Sequence, residues 1–170
     1  MASRHLNKAF LLLFSLSFII RGVVAHANKK DASPTHITAN EIIFEQSLNR
    51  AIAQGNTVIK RGDATLFASR VEVYFTKVGN KNEISLIKAF ENVRIERPED
   101  VACGDLGTYD PKKEEIILEG HVTVTDHKNQ VSGAYGIMDQ KTGVTRILNH
   151  KPGTTPSTNG RVSALLVSNE

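Results

Sequence analysis

A chain of 170 residues with a single cysteine, Cys103, must hold its fold by packing, because a lone thiol closes no internal bridge. Its formal charge of +3 belongs to its start: of 21 basic residues, Arg4, Lys8 and Arg21 precede Asn28 with no acid among them, leaving 18 basic against 18 acidic side chains. A neutral body with no Trp and no dense Lys/Arg run lacks the basic, aromatic-interleaved stripe of a nucleic-acid binder.

Residues 1–27 read as a signal peptide. Arg4, His5 and Lys8 give a basic start, Ala9 to Ile20 an apolar run broken only by serines, and Ala25-His26-Ala27 a small-x-small cleavage site. The apolar run is shorter than the ~20 residues that span a bilayer, and Arg21 interrupts its extension through Val23-Val24. Cleavage and export are expected, with an uncleaved N-terminal anchor as the alternative. Residues 28–34 form a polar leader ending at Ser33-Pro34, and 35–170 form one domain. Removing 27 residues from 170 leaves 143, an ordinary single-domain length.

From there the chain reads as almost all β. His36 to Ala39 alternates polar and apolar residues, as do Thr65 to Ala68, Val71 to Phe75, Asn92 to Ile95 and His121 to Thr125. Breaks fall at Gly62-Asp63, Val78-Gly79-Asn80, Arg97 to Asp100, Asp110-Pro111, His127-Lys128-Asn129 and Lys141-Thr142-Gly143, where residue types suit turns. Lys151 to Gly160 is too long for a hairpin loop, and Arg161 to Val167 is expected as a last strand, apolar on both faces from Ala164. No window sustains an apolar period of 3.6.

Gly55-Asn56, Glu91-Asn92 and Gly120-His121 each follow an apolar run and open another, so they read as the turns of a strand-turn-strand unit that recurs three times. Thirteen residues after Gly55, Glu91 and Gly120 stands a small residue: Ala68, Gly104 and Gly133. Three and five residues further on come Val71/Val73, Gly107/Tyr109 and Gly136/Met138. The N-terminal stretch carries the second half of the unit, Ala39 followed by Ile42 and Phe44. Two residues before each small one sit Ile37, Leu66, Ala102 and Val131. A skip of three in a period-two strand implies a bulge or sharp bend at the small residue. Matched bends curve a sheet around an apolar lumen, lined by Ile37, Ile42, Phe44, Leu66, Val71, Val73, Tyr109, Val131 and Met138. That lumen is either a packed core or a binding groove. Cys103, between Ala102 and Gly104, is expected in a strand as a small half-buried hydrophobe.

Catalytic motifs do not emerge. Asp105, Asp110, Glu114, Glu115 and Glu119 crowd around an expected turn, where a solvated surface explains them. His121 and His127 flank a strand with no third ligand at useful spacing, so no metal site or cofactor is expected. No Gly-x-Ser-x-Gly, phosphate loop or His-Glu-x-x-His occurs.

Pro34 to Asn40, Gln54 to Val58, Leu118 to Val122 and Gly160 to Val167, in this order behind a signal peptide, resemble the LptA/OstA proteins of lipopolysaccharide transport. The resemblance covers essentially the whole mature chain. It implies a twisted, open β-jelly-roll whose interior takes the acyl chains of lipopolysaccharide in the periplasm. It also implies head-to-tail stacking of protomers into a bridge between an LptC-type inner-membrane partner and an LptD-type outer-membrane partner. Residue by residue, Ile37 falls in the groove-facing N-terminal strand, Tyr109 matches an inward aromatic, and Phe90 stands where the family carries an apolar residue near the lumen. Gly107 and Gly136 stand where the family often has larger side chains, which leaves the groove's width open. The family's polar C-terminal tail has no counterpart after the last strand, which leaves the assembly end open. An open jelly roll has unpaired edges, so Thr35, Ile37 and Ala39 at one end and Val162, Ala164 and Leu166 at the other are the expected protomer interface. Two other readings remain: a membrane-anchored LptC-type protein of the same fold, and an exported β-sandwich with a filled core that binds polysaccharide or protein.

Overall fold

The computed structural model describes residues 34–155 and 160–167. The expected signal peptide and all of the leader but Pro34 lie outside the described residues. Within them the chain builds one antiparallel sheet of ten strands. These are β1 Thr35–Thr38, β2 Glu41–Glu45, β3 Arg50–Arg61, β4 Ala64–Val78, β5 Lys81–Glu96, β6 Asp100–Asp110, β7 Glu115–Asp126, β8 Asn129–Asp139, β9 Val144–Leu148 and β10 Ser163–Leu165. β3 to β8 pair in sequence order as a meander; β1 and β2 share the free side of β3, and β9 and β10 share that of β8. The last strand is shorter than the expected Arg161 to Val167.

Six long strands replace the shorter ones that the three candidate turns would delimit. Gly55-Asn56, Glu91-Asn92 and Gly120-His121 do not reverse the chain; each lies inside one continuous strand, β3, β5 or β7. Both residues of each pair have positive φ, from 42° at His121 to 80° at Gly55. Pairing lapses there and resumes: Gln54 faces Arg70 and Thr57 faces Ala68, so Gly55 and Asn56 stand opposite Ser69 alone. Glu91-Asn92 likewise face Asp105, and Gly120-His121 face Ala134. These are two-against-one bulges, which bend a strand and add twist without ending its ladder. The expected chain reversals at Gly62, Gly79, Pro98, Pro111, Lys128 and Thr142 are where the strands do turn.

Because the bulges lie side by side on successive strands, they crease the sheet along one line. One half holds β1, the C-terminal parts of β3, β5 and β7, the N-terminal parts of β4, β6 and β8, and β10. The complementary segments, with β2 and β9, make the other half. Residues from both halves join a single apolar cluster: Ile59, Val93 and Val122 from the first meet Val71, Leu118 and Met138 from the second. The result is an open jelly-roll arrangement with its core between the two half-sheets.

Candidate functional site

The face turned to this interior follows from the register, since residues directly opposite on paired strands share a face. One row runs Ile37, Ile59, Leu66, Ile95, Ala102, Val124, Val131 and Ala164 across the first half. A second crosses the other half next to the crease: Ile42, Ala53, Val71, Ala89, Gly107, Leu118, Gly136 and Ile147. The third runs Phe44, Ala51, Val73, Ile87, Tyr109, Ile116, Met138 and Thr145. No charged side chain interrupts them.

These rows bring together nine of the ten residues singled out in the sequence. Val71, Val73 and Met138 are buried at the centre; Ile37, Leu66 and Tyr109 are half-buried and pack against it, and Val131 is half-buried in the first row. Toward the β2 edge the interior opens, leaving Ile42 40 % and Phe44 73 % exposed although both lie on the inner face. Phe90 is the exception. Ala89 and Val71 face inward, so alternation turns Phe90 to the outer face, where the Arg70 guanidinium stacks 4.4 Å from its ring. In the first half, Arg94 covers its cross-strand partner Phe67 in the same manner, also at 4.4 Å.

Sequence reasoning named only the inner residues of β1, β2 and the even strands β4, β6 and β8. The odd strands supply Ala53 and Thr57, Ala89 and Val93, and Leu118 and Val122, each pair two residues before and two residues after the first member of a bulge. That spacing was present in the sequence, hidden by reading the bulges as turns. Gly107 and Gly136 bring the two halves close: a Cβ on Gly107 would lie 3.0 Å from Val93 Cγ1, and one on Gly136 3.0 Å from Val122 Cγ1. The interior is narrow along the crease and filled at its centre.

Charges occupy the outer face, the turns and the strand ends, where Arg61 of β3 and the facing pair Asp100 and Asp126 border the first inner row. Glu72, between inward Val71 and Val73, is on the outer face but covered: its carboxylate accepts a hydrogen bond from Tyr74 Oη at 2.6 Å and lies 3.2 Å from Arg70 Nη1 and 3.5 Å from Arg50 Nη1. The acidic residues near the sixth and seventh strands disperse: Asp105 holds His121 Nδ1 at 2.8 Å across a bulge, Glu119 pairs with Lys151 at 3.1 Å, and Asp110 accepts the backbone N–H groups of Lys112 and Lys113. His127 hydrogen-bonds Asp126, which raises its pKa above the ordinary value. Among the described residues, no three His, Cys, Asp or Glu side chains gather as metal ligands. Nor is any helix there long and apolar enough to cross a membrane.

The edges bear the residues expected at a protomer interface. Thr35 and Ile37 pair inward with Arg61 and Ile59, so one side of β1 is spent on β3 and its other side forms the sheet's border. Ala39 lies at the break between β1 and β2. Ala164 pairs with Val131, while Val162 and Leu166 flank β10 and are exposed.

A creased antiparallel sheet with an inner face that is apolar and free of charge along its three central rows, and with open edges, defines a β-jelly-roll scaffold. Residues 36–144 match the family described as LptA/(LptD N-terminal domain) LPS transport protein, and the chain belongs to that family. A solved structure, that of LptH from Pseudomonas aeruginosa, the LptA-homologous periplasmic component of a lipopolysaccharide transport device, superposes with a TM-score of 0.71 at 14 % identity, covering 82 % of this chain and 99 % of that one. An uncharacterized protein of Rickettsia prowazekii (strain Madrid E) is 25 % identical over 125 residues, 71 % of this chain and 86 % of its own length.

Proposed function

We propose that this protein is a periplasmic carrier of lipopolysaccharide, exported by a cleaved signal peptide at residues 1–27, which shelters acyl chains between its half-sheets. The observation that carries this reading is that the three central rows of the inner face hold no charge and that their apolar lining continues past the buried core to exposed Ile42 and Phe44. Each methylene removed from water contributes about 0.8 kcal/mol, and aliphatic contacts have no preferred direction, so such a lining holds a chain and still lets it slide. Ile37, Leu66, Val71, Val73, Tyr109, Val131 and Met138 continue that lining inward. The open edges at β1 and β10 suit addition of a strand from another protomer, and such a heterologous contact repeats head to tail. Domains of LptC and LptD type would end the stack at the inner and outer membranes. The protein carries and scaffolds; it catalyses nothing.

Photocrosslinking in cells from positions 37 and 109, with exposed, outward Arg94 as control, tests the carrier role. Lipopolysaccharide adducts at 37 and 109 but not at 94 are expected. Their absence from a folded, exported protein would favour the other reading, a binding or scaffolding module with a filled core. That alternative has its own support: Val71, Val73, Leu118 and Met138 are fully buried in the protein by itself. On the carrier reading, a chain reaching the centre must part the half-sheets.

A further inference from the structure

A buried polar group ordinarily has a partner, because an unpaired one has given up its hydrogen bonds to water for nothing. Two buried polar residues stand out among those described, Glu72 and Thr57. Glu72 is surrounded by Tyr74, Arg50 and Arg70. Thr57 is 1 % exposed and its Oγ1 has no hydrogen-bond partner among the described residues. Its position is specific: paired with Ala68 at the crease, it lies between the inner row that starts Ile37–Ile59 and the one that starts Ile42–Ala53. β3 is one strand in from the sheet border, and β1 and β2 part beside it at Asn40, whose N–H donates to Gly55 O at 2.9 Å. That is the edge where the inner-face side chains Ile42 and Phe44 are left uncovered.

We propose that Thr57 is a specificity contact of the interior, its hydroxyl donating to the carbonyl oxygen of an amide- or ester-linked acyl chain whose methylenes lie along Ile37, Ile42 and Phe44. The proposal rests on the carrier reading above and names the chemical feature that the carrier selects. An acyl carbonyl drawn into an apolar space brings an unmet acceptor, and Thr57 waits there with an unmet donor. Contact satisfies both at once. A plain alkyl chain brings no acceptor and leaves the hydroxyl unpaired, so one oxygen separates acyl from alkyl ligands.

The test titrates the full mature protein with two single-chain probes, N-dodecanoyl-glucosamine and dodecyl glucoside. Wild type is expected to favour the acyl probe by about tenfold. Thr57→Val should bind the alkyl probe as wild type does, lose the preference and, without ligand, melt at a higher temperature. Thr57→Ser, which keeps the hydroxyl, should keep the preference. A preference that survives in Thr57→Val, or equal binding of both probes by wild type, overturns the role of Thr57 and leaves the carrier reading standing. Failure of wild type to bind either probe overturns the carrier reading and this inference with it.

Discussion

Leu118 shows how much of this fold hangs on single side chains. It is completely buried, neighbours Gly107 and Gly136 in its inner row, and belongs to the cluster that joins the half-sheets. Leu118→Ala should lower stability by about 2–5 kcal/mol, through lost burial and the cavity left behind. Urea unfolding, read as a fall in midpoint at unchanged slope, measures it. The opposite error is equally costly at the glycines. A leucine at position 136 would press on Val122 Cγ1 and on Ile147 Cδ1, which lie 3.0 and 3.3 Å from its Cβ position. Gly136→Leu is therefore expected to destabilise by about 1–3 kcal/mol, as overpacking does. If it instead stabilises, the space between the halves is wider than Val122 leaves it. At this scale alternation in the sequence picked out residues that the register turns inward, whereas Phe90, placed near the lumen by the family resemblance alone, does not face it. Its neighbour Ala89 holds the inner position and Arg70 gives Phe90 an outer-face partner.

Among the elements, the bulged strands decide the architecture. Their left-handed pairs are of mixed quality: Gly55 and Gly120 adopt positive φ at no steric cost, whereas Glu91 adopts φ 61° with a side chain. Glu91→Gly should stabilise the protein by up to about 1 kcal/mol, and Gly120→Ala, at φ 73° against Asp105, should destabilise it. Thermal melts of the two variants would show shifts of opposite sign; shifts of the same sign would mean that the bulge does not set the cost. The β8–β9 hairpin carries a pH-dependent contribution. Asp139 Oδ1 accepts the backbone N–H groups of Thr142 and Lys141 at 2.9 Å each. Hydrogen bonding, chiefly by Thr142, holds its pKa below the ordinary 3.8. A depressed folded value means the unfolded chain binds its proton first as pH falls. The contribution is thus complete above that ordinary value and disappears as pH falls through the lower folded one. Asp139→Asn keeps an acceptor without the charge, so the melting-temperature gap between wild type and variant should narrow from pH 6 to pH 2. A constant gap would rule this carboxylate out as a source of acid sensitivity.

For the whole molecule, the open sheet is the property that matters. Among the described residues the meander of six long strands does not close, so β1 and β2 at one side and β9 and β10 at the other are borders. Deleting Arg161 to Glu170 removes β10 while leaving the central rows from Ile59 to Val131 in place. Self-association, followed by light scattering against concentration, should weaken more than binding of a lipid probe. Identical size distributions with and without the segment would remove it from the interface.

By itself, the sequence determined the all-β class, the chain reversals and, through the offsets of two, three and five residues around Ala68, Gly104 and Gly133, which side chains of the even strands face inward. Those signals are local: alternation and turn chemistry act within a few residues of one another. Whether Gly55-Asn56, Glu91-Asn92 and Gly120-His121 end a strand or merely bend it was decided by the tertiary structure, because two left-handed residues suit either outcome. Only a neighbouring strand that resumes its hydrogen bonds beyond them makes a bulge. The same holds for the narrow crease under Gly107 and Gly136 and for the unpaired hydroxyl of Thr57. Each depends on what another strand, distant in sequence, brings to the opposite side.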